Sequence, residues 1–289
     1  MGRPERHAAL VLCGGASRGA LEVGFYKALE ELGLGFDRIV GTSIGAFNGA
    51  MIAGGLRAAE IEALWLDFNL RKAVSWNWGW LAHPRLQPGL FSLDRFRALL
   101  HEVLPATRFE HLKLPLTITT TDLDSGKPVY WHGQGDLIEP LIASMSLPGI
   151  FPPVMLEGRL HVDGGIANNV PLDRARDEGA AHALVIDCYC DRPCLRPPRG
   201  MIAILTRSFA VAVDGKFHAD LARLKRRMTI ERVTPHFDNN VEMMDFSKTA
   251  ELIETGYRAT MRHFCSADYQ VVSNSASITG QSGTSPCVH

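Results

Sequence analysis

The stretch VGTSIGAFNGA, Val40–Ala50, sets one hydroxyl, Ser43, between Gly41 and Gly45. FDRIVGT, which reads as a short strand, leads into it, and a run of small residues, IGAFNGAMIAGG, follows. G-x-S-x-G between a strand and a helix is the sequence form of a nucleophile elbow. The sharp turn lifts the serine oxygen clear of a sheet, and the glycines relieve the crowding around it. A helix beginning there also aims unpaired N–H groups and the positive end of its dipole at the serine, which favours a developing oxyanion. The alternative is a serine that merely caps the helix.

Outward from this corner, short apolar runs alternate with helical periodicity. AALVLC reads as a buried strand, and ALEVGFYKALEELG as a helix with Leu21, Phe25, Ala28, Leu29 and Leu32 on one face and Gly33 as its stop. RAAEIEALWLDF is a further helix, and TITTTDLDSGKPVYWH a hairpin around Asp-Ser-Gly. RLHVDGG, ALVIDCYC and MTIERVTP are strands, and MIAILTRSFAVAVDGKFHADLARLKRR and FSKTAELIETGYRATMRHF are helices. The fold class expected is α/β, a mostly parallel central sheet covered by helices on both faces. In such sheets, sites lie beyond the carboxyl ends of the strands. The expected division is one domain over residues 1–265 and a disordered Ser/Gly/Thr-rich tail over 266–289.

Two other glycine-marked corners follow apolar runs. GGASRGA, Gly14–Ala20, resembles a phosphate cradle, but a P-loop ends in G-K-[ST] and here Gly19 is followed by Ala20. A dinucleotide fingerprint needs glycine where Ala16 stands, although Asp37 lies near the ribose-binding distance. The bare N–H groups of such a turn can instead form an oxyanion hole, where a good donor removes about 3 to 4 kcal/mol of barrier. Arg18 is then a hydrogen-bond donor that fixes the loop, or an anion binder. The third corner, Asp163-Gly164-Gly165, puts a carboxylate at a strand end, where it can accept a proton or simply make a turn. Of eleven histidines, His236 is the one loop candidate downstream of Asp163 for a Ser–Asp–His triad.

A chain of 289 residues that is 46% hydrophobic has ample material for a core, and a net charge of −1 gives no bulk attraction to nucleic acid or anionic lipid. Cys188, Cys190 and Cys194 cluster without a second ligand cluster at matching spacing, so reduced thiols are expected rather than a metal site. The opening residues show no secretion signal, and no apolar run reaches the roughly 20 residues of a membrane span, so a cytoplasmic protein is expected. Trp76, Trp78 and Trp80, in a Gly- and Pro-broken segment, either touch a lipid surface transiently or pack on the domain. The basic run of Arg223 with Lys225 to Arg227 reads as the wet face of a helix, with phospholipid contact as the alternative.

GGASRGALEVG, GTSIG and DGG, in that order, together with TDLDSGKPV, ASMSLPGIFPPV and DGGIANNVP, resemble the patatin-like phospholipase family from Ala8 to about Phe264. The resemblance implies a three-layer fold with Ser43 as nucleophile and Asp163 as base of a Ser–Asp dyad. Backbone N–H groups of Gly14, Gly15 and Ala16 would form the oxyanion hole, with Arg18, Gly19, Gly41, Gly45, Gly164 and Gly165 as supporting motif positions. Family members often carry glycine at the place of Ala16, and its methyl group is harmless only where the backbone angles suit a Cβ. The implied activity is serine acyl-hydrolysis of lipid or similar carboxylic esters through an acyl-enzyme, with no metal or organic cofactor. A Ser–Asp–His esterase of small soluble esters and a non-catalytic regulatory protein of the same fold are the alternatives. An aspartate with a reference pKa near 3.9 is a poor base for a serine, so the dyad demands a dry site.

Overall fold

The computed structural model describes residues 7–68, 74–77, 89–188, 197, 199–237 and 244–266. Its strands are β1 (Ala8–Leu12), β2 (Arg38–Thr42), β3 (Ser75–Trp76), β4 (Phe91–Ser92), β5 (Leu116–Asp122), β6 (Pro128–Trp131), β7 (Val154–Leu156), β8 (Arg159–Asp163), β9 (His182–Ile186) and β10 (Thr229–Val233). The helices are α1 (Ala20–Glu31), α2 (Ile44–Gly54), α3 (Ala58–Asp67), α4 (Asp94–Val103), α5 (Ile138–Ser144), α6 (Gly165–Asn168), α7 (Leu172–Asp177), α8 (Met201–Leu224) and α9 (Thr249–Cys265).

Eight strands form one sheet in the order β10-β9-β1-β2-β5-β8-β7, with β6 also on β5. The links from β10 through β9, β1 and β2 to β5 are parallel; β6 and β8 run antiparallel to β5. Every residue of β1 and β5 is buried, on both alternating sides, so helices cover both faces as the near-continuous apolar run of β1 implies. α1 ends as Gly33 suggests: at φ 65° it lets Leu34 N–H reach the Leu29 carbonyl and its own N–H the Glu30 carbonyl. The Asp-Ser-Gly hairpin joins β5 and β6. After Asp163 the chain enters the one-turn helix α6, where the sequence suggested a plain turn.

The register around β5 positions the site. Thr119 pairs with Thr42 of β2 and Tyr130 of β6; Thr120 pairs with Asp163 of β8 and Val129 of β6. β6 therefore holds one edge of β5, while β2 and β8 share the other. Their carboxyl ends approach each other head to head, so the residues just past Thr42 and at Asp163 meet.

Cys190, Cys194, Trp78, Trp80 and the 267–289 tail lie outside the described residues; the Trp76 backbone pairs with Phe91. Among the described residues no helix is long and apolar enough to cross a membrane.

α9 closes the domain against α1. A Cβ on Gly24 would fall 1.9 Å from the Ile253 carbonyl oxygen, and one on Gly256 2.1 Å from that of Leu21, so the two backbones touch where side chains are absent. Gly256→Val is expected to push these helices apart and lower stability by roughly 1 to 3 kcal/mol, read from urea unfolding.

Candidate active site

Ser43, between β2 and α2, holds φ 54° and ψ −126°, a conformation non-glycine residues rarely hold and one that costs on the order of 1–3 kcal/mol. The glycines around it answer to close approach. A Cβ on Gly41 would lie 2.8 Å from the Ala46 backbone, and one on Gly45 would sit 2.6 Å from the Leu12 carbonyl carbon. Ser43 makes no side-chain cap for α2. Its Oγ donates to Asp163 Oδ2 at 2.8 Å. Its N–H donates to Ser144 Oγ at 2.7 Å, and that hydroxyl donates to the Thr119 carbonyl at 2.7 Å. The strained turn is thus pinned to β5 by the last residue of α5.

Asp163 is 5% exposed. Its N–H donates to the Ser146 carbonyl, its carbonyl accepts from Thr121 Oγ1, and Oδ1 accepts from Gly165 N–H at 2.8 Å. Burial pushes its carboxyl up to about 7, against the opposing pull of the bonds from Gly165 and Ser43. The carboxyl is thus buried and shifted, while the Ser43 side that faces it is half-buried at the cavity. Gly164 is forced by the same crowding, since a Cβ there would lie 2.2 Å from the Thr119 oxygen. His236 is exposed beyond β10, and no histidine is among the described residues lining the cavity at Ser43.

The glycine turn lies alongside. A Cβ on Gly14 would come 3.0 Å from Ser43 Cβ and 2.4 Å from Asn169 Oδ1. Asn169 Nδ2 donates to the Gly14 carbonyl at 3.0 Å. The N–H groups of Gly15 and Ala16 find no acceptor among the described residues. Ala16 has φ 50°, left-handed backbone that burdens an alanine by roughly 1–2 kcal/mol, so the backbone does not suit a Cβ as well as the sequence reading required. Arg18 is buried; its Nη1 donates to the Cys188 carbonyl at 3.4 Å and its guanidinium lies over the Phe237 ring, the loop-fixing alternative of its two sequence readings. Gly19 gives passage to Ile44, whose carbons would be 2.8 Å from a Cβ there; on Gly165, one would lie 2.6 Å from Asn169 Oδ1.

Three contributors carried no clear signal in the sequence. Ser144 and Asn169 sit inside the quoted stretches ASMS and ANNV, yet nothing local marks them as the residues that hold Ser43 and Gly14. Glu22 is the third. Completely buried in α1, it accepts from Cys13 N–H at 2.7 Å and from Asn48 Nδ2 at 2.8 Å, and Trp65 Nε1 donates to Asn48 Oδ1. It thereby ties the residue before the glycine turn to α2 and α3. Burial raises its carboxyl to about 8. Cys13, Cys188 and Glu22 bring their ligand atoms within 4.8 Å of one another, a grouping hidden from sequence spacing because β1 and β9 are neighbours only in the sheet.

The cavity at Ser43 measures about 90 Å³, and apolar side chains of Leu93, Phe96, Leu147, Phe151 and Phe209 line much of it. A serine hydroxyl, a buried carboxyl with a raised pKa and two open N–H donors thus share one small apolar hollow.

The chain matches the family model described as Patatin-like phospholipase over residues 10–176. It is 35% identical over 188 residues to Patatin-like phospholipase domain-containing protein 6 of Mus musculus, covering 62% of this chain and 13% of that protein. It is 32% identical over 183 residues to Lysophospholipase nte1 of Aspergillus terreus, covering 63% of this chain and 12% of that protein. The chain thus spans about an eighth of the length of these relatives. Among solved structures, VipD from Legionella pneumophila aligns with TM-score 0.47 at 15% identity over 90% of this chain and 67% of that one. The family match takes in more than half of the chain and all three glycine corners, and the protein belongs to the patatin-like phospholipase family.

Proposed function

We propose that the chain is a serine acyl-hydrolase of lipid-type carboxylic esters. The single observation that carries this reading is the 2.8 Å hydrogen bond from Ser43 Oγ to a buried Asp163 beside the glycine turn. In the proposed cycle Ser43 Oγ attacks the ester carbonyl carbon while Asp163 accepts the hydroxyl proton. The carbonyl oxygen gains negative charge facing the N–H groups of Gly14, Gly15 and Ala16. Collapse expels the alcohol, which takes the proton from Asp163, and leaves an acyl-enzyme. Water then attacks the acyl carbon with Asp163 again as base, and the acid departs as Ser43 regains its proton. These steps use only the chain's own groups. A lipid-type acyl group is favoured by the apolar walls of the cavity and by the names of the relatives, which are phospholipases and a lysophospholipase.

Ser43→Ala and Asp163→Asn are each expected to lower kcat/KM on carboxylic esters by at least about 10³-fold, while His236→Ala stays within about twofold of the parent. Loss of activity in His236→Ala would replace the dyad with a triad. Because the base must be ionised, kcat/KM should rise with pH through an apparent pKa near 7, and a profile flat from pH 5 to 9 would contradict Asp163 as the base.

The same carboxyl predicts a stability effect of opposite sense. Its folded pKa stands above the unfolded value, so between about pH 4 and 7 the folded state holds a proton that the unfolded state has lost. Each pH unit of rise there withdraws at most roughly 1.4 kcal/mol of stability. Asp163→Asn, which can keep both hydrogen bonds, should therefore be more stable than the parent at pH 8, with the gap closing toward pH 4. Denaturant unfolding at a series of pH values reads this directly.

A further inference from the structure

Cys13 and Cys188 stand just past the carboxyl ends of β1 and β9, which pair side by side in the sheet, and Glu22 reaches the same point from the first turn of α1. One sulfur from each strand end and one carboxylate oxygen lie within 4.8 Å of one another. All three side chains are shut away from solvent, Glu22 and Cys188 at 0% and Cys13 at 1% exposure. Cys13 Sγ also donates to the Ile186 carbonyl at 3.8 Å, which puts a further oxygen beside the first sulfur.

The donor set is selective. Two sulfurs with a carboxylate are ligands that Zn²⁺ accepts, whereas Mg²⁺ and Ca²⁺ take oxygens alone. Ligands at ordinary zinc distances stand roughly 3.6 to 3.8 Å apart around a tetrahedral ion, so groups already within 4.8 Å need only a small side-chain adjustment. The carboxylate is also oriented in advance. Its Oε1 accepts from Cys13 N–H at 2.7 Å and its Oε2 from Asn48 Nδ2 at 2.8 Å, and Asn48 is itself fixed by Trp65 Nε1. Outer hydrogen bonds of this kind hold a metal-ligating carboxylate in place.

We propose that Cys13, Glu22 and Cys188 bind one Zn²⁺, a structural ion that fastens the ends of β1 and β9 to α1 beside the glycine turn. On binding, two thiol protons and the carboxyl proton leave to solvent. The divalent ion then carries three anionic ligands, and the complex keeps one net negative charge. Cys13 directly precedes Gly14, and Arg18 Nη1 donates to the Cys188 carbonyl at 3.4 Å, so the ion steadies Gly14–Arg18 from both ends. It takes no part in the proposed ester cycle. The site is also distinct from the grouping of Cys188 with Cys190 and Cys194 that spacing in the sequence suggested.

The test reads metal, not activity. Protein expressed in zinc-supplemented medium and desalted should retain about one zinc per chain by elemental analysis, falling below about 0.2 in Cys13→Ser and in Cys188→Ser. Glu22→Gln should lower zinc affinity at least about tenfold, with circular dichroism verifying that each variant is folded. The Cys190→Ser/Cys194→Ser double variant should keep its zinc. Protein expressed with Cd²⁺ instead should show ultraviolet absorption from thiolate-to-cadmium charge transfer, and Cys188→Ser should abolish it. If either Cys13→Ser or Cys188→Ser fails to fold, Glu22→Gln and the cadmium spectrum of the double variant decide. Parent protein that retains less than about 0.1 zinc per chain and shows no cadmium band overturns the proposal. So does zinc that survives Cys13→Ser but is lost from the double variant, which would place the metal at the other cysteines. None of these readouts needs ester hydrolysis, so they stand or fall apart from the hydrolase reading.

Discussion

The hydrogen bond from Ser43 Oγ to Asp163 Oδ2 joins the ends of two strands that approach head to head along one edge of β5, and its acceptor is a buried carboxyl. Both conditions matter. Exposed to water, the carboxylate would be too weak a base for the proposed assistance to Ser43; burial raises it to about 7. The sheet register supplies the encounter, and the all-buried β5 beneath it supplies the burial of Asp163. The threonines of β5 serve this arrangement with their own polar groups: Thr119 and Thr121 hold Ser144 and Asp163 through a carbonyl and a hydroxyl.

A site built this way stores strain. Ser43 and Ala16 both hold positive φ without being glycine, on the two turns that face each other across the reacting position. Each is held by a buried network. Ser144 and Thr119 pin the elbow, and Glu22, linked to Asn48 and Trp65, grips the backbone just before the glycine turn. The two raised carboxyls, Asp163 and Glu22, lean the same way in stability terms: each favours the folded state less as pH rises toward neutrality. At Asp163 this loss of stability accompanies the desolvation that the proposed base role requires.

The sequence made the local half of this legible. G-x-S-x-G, Asp163-Gly164-Gly165 and the turn at Gly14 are short-range patterns, because the steric need for glycine at a crowded backbone shows in the chain itself. Helix and strand periodicity was equally readable, down to Gly33 as the stop of α1. The encounter of Ser43 with Asp163 rested on the family resemblance, since it depends on how β2 and β8 divide one edge of β5 across 120 residues. Ser144, Asn169 and Glu22 escaped notice for the same reason: each acts on a partner distant in sequence and looks ordinary among its neighbours. Cys13 and Cys188 illustrate it again, since spacing alone put Cys188 with Cys190 and Cys194, whereas the β1–β9 pairing brings it to Cys13.

The most direct test of the Ser43–Asp163 pairing is the rate at which a fluorophosphonate labels the protein as pH is varied, with the modified residue located by mass spectrometry. Covalent capture should fall on Ser43, accelerate through a midpoint near pH 7, and slow by orders of magnitude in Asp163→Asn. Capture at another residue, or a Ser43 labelling rate that is indifferent to Asp163→Asn, would contradict the account.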